Sequence, residues 1–273
     1  MNVRVIDSGR KSPFPPIAEI WRRRELTALF VRRHIASRYR QMALGGLWAV
    51  LEPLAQLMLM SVVFGYLLRI HTNNYPYAVY VFAALIPWQH FTRSTMAVAG
   101  SLQENMGLIS KVYFPRLILP VAALIRELID SVIQVGVLLA VSAWFGYYPS
   151  WRLLLFVFPT LVFISLAGAG LGLCVASIIV RFRDIRPALS IALQGGMYLS
   201  PVLYAASVVP ERLQFWYQIN PMYWPIETFR WMLLDQPLVL TSALPVAMAP
   251  VLVLMLLGLV LFTLNERKTV DVL

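Results

Sequence analysis

Long apolar runs alternate with short polar or charged connections along most of this chain. Apolar stretches of about 20 residues are what a helix needs to cross the hydrocarbon core of a bilayer. The pattern predicts six such spans, at about 47–68, 76–100, 117–145, 153–180, 188–209 and 242–264. The predicted fold class is therefore an all-α integral membrane protein with six transmembrane helices per chain.

The segments that flank the spans are polar or strongly basic. Residues 1–16 have no apolar core before a small-residue cleavage site, so they predict a disordered lead rather than a signal peptide. Residues 17–41 combine dense charges with an apolar arc that includes Trp21 and Val31, a pattern typical of an amphipathic helix at the cytoplasmic interface. Residues 265–273 predict a cytoplasmic tail.

Small residues and breaks mark the second half of the chain. The sequence GAGLG at 168–172 predicts a close approach between helices. Residues 210–234 are aromatic but not continuously apolar, and we expect two short external re-entrant helices there, split near Asn220-Pro221. Broken helices at membrane depth are tolerated only inside protein or beside an aqueous cavity.

Composition and charge agree with the membrane interpretation. The chain is 59% hydrophobic and only 13% charged, and its net charge of +10 is concentrated, with ten of the 23 Lys and Arg in the first 46 residues. Clustered cations near span ends indicate orientation and contact with anionic lipid rather than nucleic acid. The positive-inside rule then predicts a multi-pass protein with both termini in the cytoplasm.

Catalytic motifs are not found in this sequence. It contains no phosphate-binding loop, no metal-ligand spacing and no nucleophile elbow, so we expect a protein that is not itself an enzyme and binds no metal. Glu52 is expected to reach the interface or pair with an arginine, and His90 to have a structural or pore-facing role rather than a proton-relay role. Ionisable residues in mid-span are few, which favours a partner ATPase over an ion gradient as the energy source.

Four stretches of the chain form a recognisable set, namely RRHIASRYRQMALGGLWAVLEPL, LISKVYFPRLILP, RFRDIRPALSIALQGGMYLSPVLY and INPMYWPIETFR. In order and spacing they resemble motifs of the type-2 ATP-binding-cassette exporter permeases that move polysaccharides. The resemblance is strongest to the O-antigen, capsule and wall teichoic acid permeases and covers residues 20 to 265.

The resemblance implies a homodimeric permease in the bacterial cytoplasmic (inner) membrane that exports lipid-linked polysaccharide, with two copies of a separate ABC ATPase. ATP and Mg²⁺ would bind to that ATPase, and this chain would bind no cofactor. Membrane lipid is a further expected partner and nucleic acid is not. Alternatives are a capsule, teichoic acid or small-molecule exporter permease and, in another class, a membrane enzyme acting on polyprenyl-linked sugars.

The resemblance also assigns roles to three segments. Leu44 and Gly45 match a gate loop at the first span, although Gly46 beside Gly45 departs from the usual single glycine. The segment 104–113 matches the part that couples to the ATPase, with candidate residues Glu104, Asn105, Leu108, Ile109, Lys111 and Tyr113. The external segment matches a gate with candidate residues Phe215, Trp216, Asn220, Pro221, Tyr223 and Trp224.

Aromatic and basic residues suggest how a glycan would be handled. Aromatic rings can stack on the C–H faces of sugars without fixing their register, although packing and lipid-facing roles are equally open. The candidate channel-lining residues are Trp48, Phe64, Tyr80, Phe82, Trp88, Tyr198 and Tyr204. Arg38, Tyr39 and Arg40 could receive a lipid-linked diphosphate or anchor the chain to anionic lipid, and with Trp48 they complete the candidate entry gate.

Overall fold

The computed structural model describes residues 17–39, 44–70, 72, 75–112, 114–236 and 243–265, and within these ranges the regular elements are helices. The first half contains α1 (Ile17–Arg22), α2 (Arg24–Tyr39), α3 (Trp48–Met60), α4 (Tyr77–Glu104), α5 (Met106–Ile109) and α6 (Ile118–Trp144). The second half contains α7 (Trp151–Arg181), α8 (Ile185–Tyr198), α9 (Glu211–Gln218), α10 (Tyr223–Leu234) and α11 (Ala243–Asn265).

The helix α7 lies at the centre of the bundle, between α4 and α11. A Cβ atom at Gly170 would lie 2.7 Å from the backbone nitrogen of Met255, and one at Gly172 would lie 2.8 Å from the carbonyl oxygen of Thr95. On the facing helix, a Cβ atom at Gly258 would lie 2.5 Å from the carbonyl oxygen of Gly170. The GAGLG sequence therefore brings α7 into backbone contact with both neighbours, as predicted for small residues.

We expect Gly170→Ala to lower the free energy of unfolding by about 1–3 kcal/mol, because the added methyl group must push α11 away from α7. The matched control is Gly136→Ala on α6, where nothing lies within 4 Å of the added atom. The control should be neutral or stabilising by up to about 1 kcal/mol through helix propensity. Thermal unfolding of the two purified variants in detergent compares them, and equal losses of stability would contradict this account of α7 packing.

His90 on α4 is fully buried and connects three helices. Its Nε2 lies 2.7 Å from Ser165 Oγ and 3.1 Å from the Leu161 carbonyl oxygen on α7, and its Nδ1 lies 2.6 Å from Ser131 Oγ on α6. A buried imidazole with partners on both ring nitrogens satisfies the rule that buried polar groups are hydrogen-bonded. Of the roles considered for His90, the geometry supports the structural one.

A second apolar cluster joins α2 to the ends of α4 and α6. Phe30 and Val31 on α2 are buried, and the ring centroid of Phe30 lies 5.6 Å from that of Phe114, just after α5. Val31 of the predicted apolar arc is buried within the chain, Trp21 of the same arc is exposed, and Phe30 is buried although it lies outside the arc. The predicted helix 17–41 is also divided at Arg23. The contact with Phe114 therefore covers one face of α2 within the chain.

Within the described residues, two helical stretches are long and apolar enough to cross a membrane by length and composition, namely 45–67 and 151–181. Residues 61–67 of the first continue α3 as a π-helix. The predicted span 188–209 is not one helix in the structure, because α8 ends at Tyr198 and a non-helical turn containing Pro201 follows. At 1.5 Å per residue, the 14 residues of α8 cover about 21 Å, less than the hydrocarbon thickness of about 30 Å.

The segment after that turn forms two short helices, α9 and α10. They are separated by residues 219–222, which include Asn220 and Pro221. Asn220 Oδ1 accepts a hydrogen bond from the backbone N–H of Met222 at 2.9 Å, and its Nδ2 donates to Ser200 Oγ at 2.8 Å. Asn220 thus closes the turn between the helices and fastens it to the end of α8.

Candidate functional site

A cleft of about 460 Å³ lies between α3, α4 and α8. Most of the residues around it are polar or aromatic, although the helices that carry them are apolar. On α3 they are Glu52 and Gln56; on α4 they are Trp88, Gln89, Thr92 and Arg93; on α8 they are Leu193, Gln194, Met197 and Tyr198.

Two polar bridges join α3 to α4 along this cleft. Arg93 Nη2 forms a salt bridge with Glu52 Oε1 at 3.0 Å, and Gln89 Nε2 donates a hydrogen bond to Gln56 Oε1 at 2.5 Å. On each helix the two residues are four positions apart, so they lie on one face. Glu52 therefore pairs with an arginine, which is one of the two roles expected for it.

Trp88 and Tyr198, two of the predicted channel-lining residues, both line this cleft. Trp88 is mostly buried and packs beside Phe91 with ring centroids 5.6 Å apart, whereas Tyr198 is 54% exposed. Gly196 makes room for the indole, because a Cβ atom there would lie 3.1 Å from Trp88 Cη2. The cleft therefore offers both hydrogen-bonding groups and aromatic faces.

A row of aromatic side chains leads from the end of α8 to the helices α9 and α10. The hydroxyl of Tyr204 donates to the Tyr198 carbonyl oxygen at 2.9 Å, and its ring stacks on Tyr217 with centroids 6.4 Å apart. The row continues to Tyr223 at 5.8 Å and then to Trp224 at 5.2 Å. Tyr204, Tyr223 and Trp224 were predicted from sequence, and Tyr217 was not.

Three other predicted lining residues lie elsewhere. Phe64 is partly buried against the main core, and Tyr80 and Phe82 are fully buried inside the chain. Tyr80 and Phe82 have no surface open to a pathway in this structure, which differs from their predicted place. The reason is that α4 is enclosed by α6, α7 and α10, so most of its faces meet protein.

Tyr80 instead lies beneath the guanidinium group of Arg230. The Arg230 Cζ atom is 3.8 Å from the centroid of the Tyr80 ring, and the arginine side chain is 0% exposed. Its Nη1 donates to Glu227 Oε1 at 2.8 Å, and its Nη2 donates to the Pro201 carbonyl oxygen at 2.6 Å. This buried arginine ties α10 to α4 and to the turn after α8.

The remaining external candidates differ in exposure. Phe215 and Trp216 on α9 are exposed, Asn220, Pro221 and Tyr223 are half-buried, and Trp224 on α10 is buried. Beyond the aromatic row and the Asn220 turn, these residues do not form a further cluster in the part of the chain that the structure describes.

The candidate entry gate is described only in part. Gly45 has φ +48°, a left-handed backbone conformation that favours glycine, and it begins the 3₁₀ turn that leads into α3. Leu44 and Trp48 beside it are exposed. Arg40 and the side chains of Arg38 and Tyr39 lie outside the described residues. Of the two adjacent glycines, only Gly45 has a backbone angle that favours glycine.

The coupling candidates surround the end of α4. Asn105 Nδ2 donates to the Ser101 carbonyl oxygen at 2.9 Å, and Glu104 Oε1 pairs with Arg186 Nη2 on α8 at 2.6 Å. Leu108 and Ile109 pack against the cluster around Phe30. Lys111 and the neighbouring Val112 are exposed, and Tyr113 lies outside the described residues.

Two details define the surroundings of this end of the bundle. Gly100 leaves space for Arg186, because a Cβ atom there would lie 3.2 Å from its Cζ. Burial, followed by the guanidinium of Arg126, lowers the pKa of His34 on α2 from 6.5, so its imidazole is neutral at pH 7.

Among the described residues, no three His, Cys, Asp or Glu side chains are grouped so that they could hold a metal ion.

Several polar residues of the cleft were not predicted as site residues from the sequence. A pattern could have identified them, because Glu52 and Gln56, Gln89 and Arg93, and Gln194 and Tyr198 form three pairs at i,i+4 spacing in otherwise apolar segments. Polar residues inside a span usually face a bundle interior or an aqueous cavity. That the three pairs face one another became evident only from the packing.

Apolar helices beside a polar, aromatic cleft are typical of membrane transporter subunits. The chain belongs to the ABC-2 type transporter family, because the sequence model of that family matches residues 25–234.

Relatives of this chain have names that specify polysaccharide transport. It is 29% identical over 209 residues to an O-antigen export system permease protein of Myxococcus xanthus, covering 76% of this chain and 79% of the relative. It is 26% identical over 202 residues to a Klebsiella pneumoniae protein of the same name, covering 72% and 76%. Finally, it is 29% identical over 210 residues to a polysialic acid transport protein of Escherichia coli, covering 74% and 78%.

Proposed function

We propose that this chain is the permease subunit of an ABC exporter that moves lipid-linked, O-antigen-like polysaccharide across the bacterial cytoplasmic membrane. The observation that carries the proposal is the match of about three quarters of the chain to permeases named for O-antigen export. The structure supports it with a cleft whose polar side chains suit hydroxyl groups and whose Trp88 and Tyr198 suit sugar faces. The aromatic row beyond Tyr198 would continue this path outward.

A capsule exporter is the second candidate. The observation that favours it is the similarity to the polysialic acid transport protein of Escherichia coli, whose identity equals that of the Myxococcus relative. The two candidates differ in cargo rather than in architecture. A transport assay that supplies both kinds of glycan distinguishes the two candidates, because the glycan that is taken up identifies the cargo.

The proposed assembly contains two copies of this chain and two copies of a separate ABC ATPase that binds ATP and Mg²⁺. The outward surfaces of α3 and α8 support a dimer, because most of the residues of α3 and α8 are at least partly exposed in the single chain. The exposed Lys111 and Val112 beside α5 support ATPase docking at this end. Glu104, at the end of α4 and next to α5, forms a salt bridge with Arg186 on α8. A movement of α5 would be transmitted through this salt bridge to α8, which carries Tyr198 in the cleft.

The proposed topology has six spans and cytoplasmic termini, supported by the clustering of Lys and Arg. We expect a cysteine at Asp184, between α7 and α8, to be protected from a membrane-impermeant thiol reagent in intact cells. A cysteine at Tyr148, between α6 and α7, should react. Both are built on a Cys174→Ala background, because Cys174 is the only native cysteine, and permeabilised cells give the total labelling. The reverse labelling pattern would contradict the orientation.

The proposed function is tested by reconstitution with the ATPase. We expect inverted vesicles holding both proteins to take up lipid-linked O-antigen into a protected lumen when ATP is present. Vesicles given a non-hydrolysable ATP analogue are the control and should show no uptake. Turnover of the lipid-linked sugar to a new product without ATP would instead indicate an enzyme and contradict the proposal.

A further inference from the structure

Two polar atoms of residues that line the cleft have no hydrogen-bond partner among the described residues, and each has almost no exposed surface. Gln89 is 93% buried; its Nε2 donates to Gln56, but its Oε1 accepts nothing. The hydroxyl of Thr92, on the same helix as Gln89, is likewise buried without a partner. Leaving a buried polar group unpaired is unfavourable, so a small rotation of either side chain toward the cleft is favoured when a ligand there completes its hydrogen bond.

The chemistry of the cleft matches a sugar unit. A sugar hydroxyl can donate to Gln89 Oε1 or to Glu52 and can accept from Arg93, while the rings of Trp88 and Tyr198 suit the C–H faces of the same unit. The volume of about 460 Å³ lies within the range of roughly 300–1,000 Å³ that is typical of small-ligand sites.

Charge adds selectivity to this match. Glu52 and Arg93 are the charged residues among those that line the cleft, and they neutralise each other across 3.0 Å. An acidic sugar would have to displace Glu52 from the guanidinium and would then face an unpaired carboxylate. A neutral sugar can use both groups as they stand, because each keeps hydrogen-bonding capacity toward the cleft.

We propose that this cleft, where unpartnered Gln89 Oε1 and Thr92 Oγ1 lie beside the Glu52–Arg93 pair, is a binding subsite for uncharged sugar units. Glu52 is the residue that excludes acidic units by occupying Arg93. This inference rests on the proposed function and deepens it, because it assigns part of the cargo selection to this chain rather than to the ATPase.

The test measures binding to the complete transporter, the chain together with its ATPase, in lipid nanodiscs. The probes are a neutral mannose tetrasaccharide and a sialic acid tetrasaccharide, titrated calorimetrically. The unsubstituted protein should bind the neutral probe at least about tenfold more tightly. Glu52→Gln should raise the affinity for the acidic probe about tenfold by freeing Arg93, and should change the affinity for the neutral probe by less than about threefold.

Two further variants connect the result to particular atoms. The double variant with Glu52→Gln and Arg93→Gln should lose the gain for the acidic probe, because its cation is gone. Gln89→Met should weaken the neutral probe about tenfold without improving the acidic one. The matched control is Asp235→Asn, which removes the carboxylate of a different arginine pair, with Arg152, outside the cleft and should leave both affinities unchanged. Asn also tolerates the left-handed backbone at this position.

Equal affinities of the unsubstituted protein for both probes, or a gain for the acidic probe that persists without Arg93, would overturn the subsite. Glu52→Gln is nearly isosteric, and if it fails to assemble, the Gln89→Met titration decides alone. Export in vesicles is measured separately. Normal export with an unselective cleft would refute the subsite but not the function, and selective binding without export of any glycan would refute the function but not the subsite.

Discussion

Replacing Arg230 with methionine is expected to release α10 from the bundle and to lower the free energy of unfolding by about 3–5 kcal/mol. The guanidinium is fully buried, and its partners are Glu227, the carbonyl oxygens of Pro201 and Val202, and the face of Tyr80. Methionine fills much of the same space but leaves the carboxylate and both carbonyl groups without a donor. Thermal unfolding in detergent gives the change in stability.

The control for this variant is Arg212→Met on α9, which removes an exposed arginine nearby and should change stability by less than about 0.5 kcal/mol. Arg230→Lys should fall between the two, because an ammonium group keeps the charge but cannot reach several partners in one plane. Limited proteolysis should cut the Arg230→Met protein in the turn at 199–205 before the unsubstituted chain. Identical unfolding of the Arg230→Met and Arg212→Met proteins would contradict the anchoring role.

Val112→Asp is expected to reduce co-purification of the ATPase by at least tenfold while the chain still inserts into the membrane. Val112 is 54% exposed beside the coupling candidates, and a carboxylate buried in a protein interface without a partner is strongly unfavourable. The measurement is the ratio of ATPase to permease after affinity purification of the tagged permease. It tests the docking part of the proposed function.

The matched control is Val208→Asp, which places the same charge on an exposed valine beyond α8, at the proposed external end. It should leave the ratio of the two subunits unchanged. Val112 is a sharper choice than Ile109, because Ile109 packs against the cluster around Phe30 and its replacement would disturb the fold as well as the surface. Full ATPase recovery with Val112→Asp would place the docking surface elsewhere.

Helix positions and helix breaks were largely predictable from the sequence. The GAGLG sequence indicated close packing because only small side chains let backbones touch, and the structure places Gly170 and Gly172 at such contacts. The end of α8 was missed because apolar residues continue beyond Tyr198, while Pro201 and the hydrogen bonds of Ser200 and Asn220 turn the chain away.

Individual site residues were less predictable. The aromatic residues formed one class in the sequence, yet Tyr198 lines a cleft while Tyr80 supports a buried arginine. A helical-wheel projection of a mostly apolar helix does not distinguish the face that contacts protein from the face that contacts lipid, because both environments favour the same side chains. The same limit applies to Trp21 on α1 and Phe30 on α2.

By itself, the sequence determined that this is a helical membrane protein, because no other secondary structure satisfies the backbone of such long apolar runs in a single chain segment. It also determined the motifs through which the family was recognised. Only the tertiary structure decided which polar residues meet. Glu52 and Arg93 are 41 positions apart, and it is the packing of α3 on α4 that converts two isolated charges in apolar segments into one neutral pair beside a cleft.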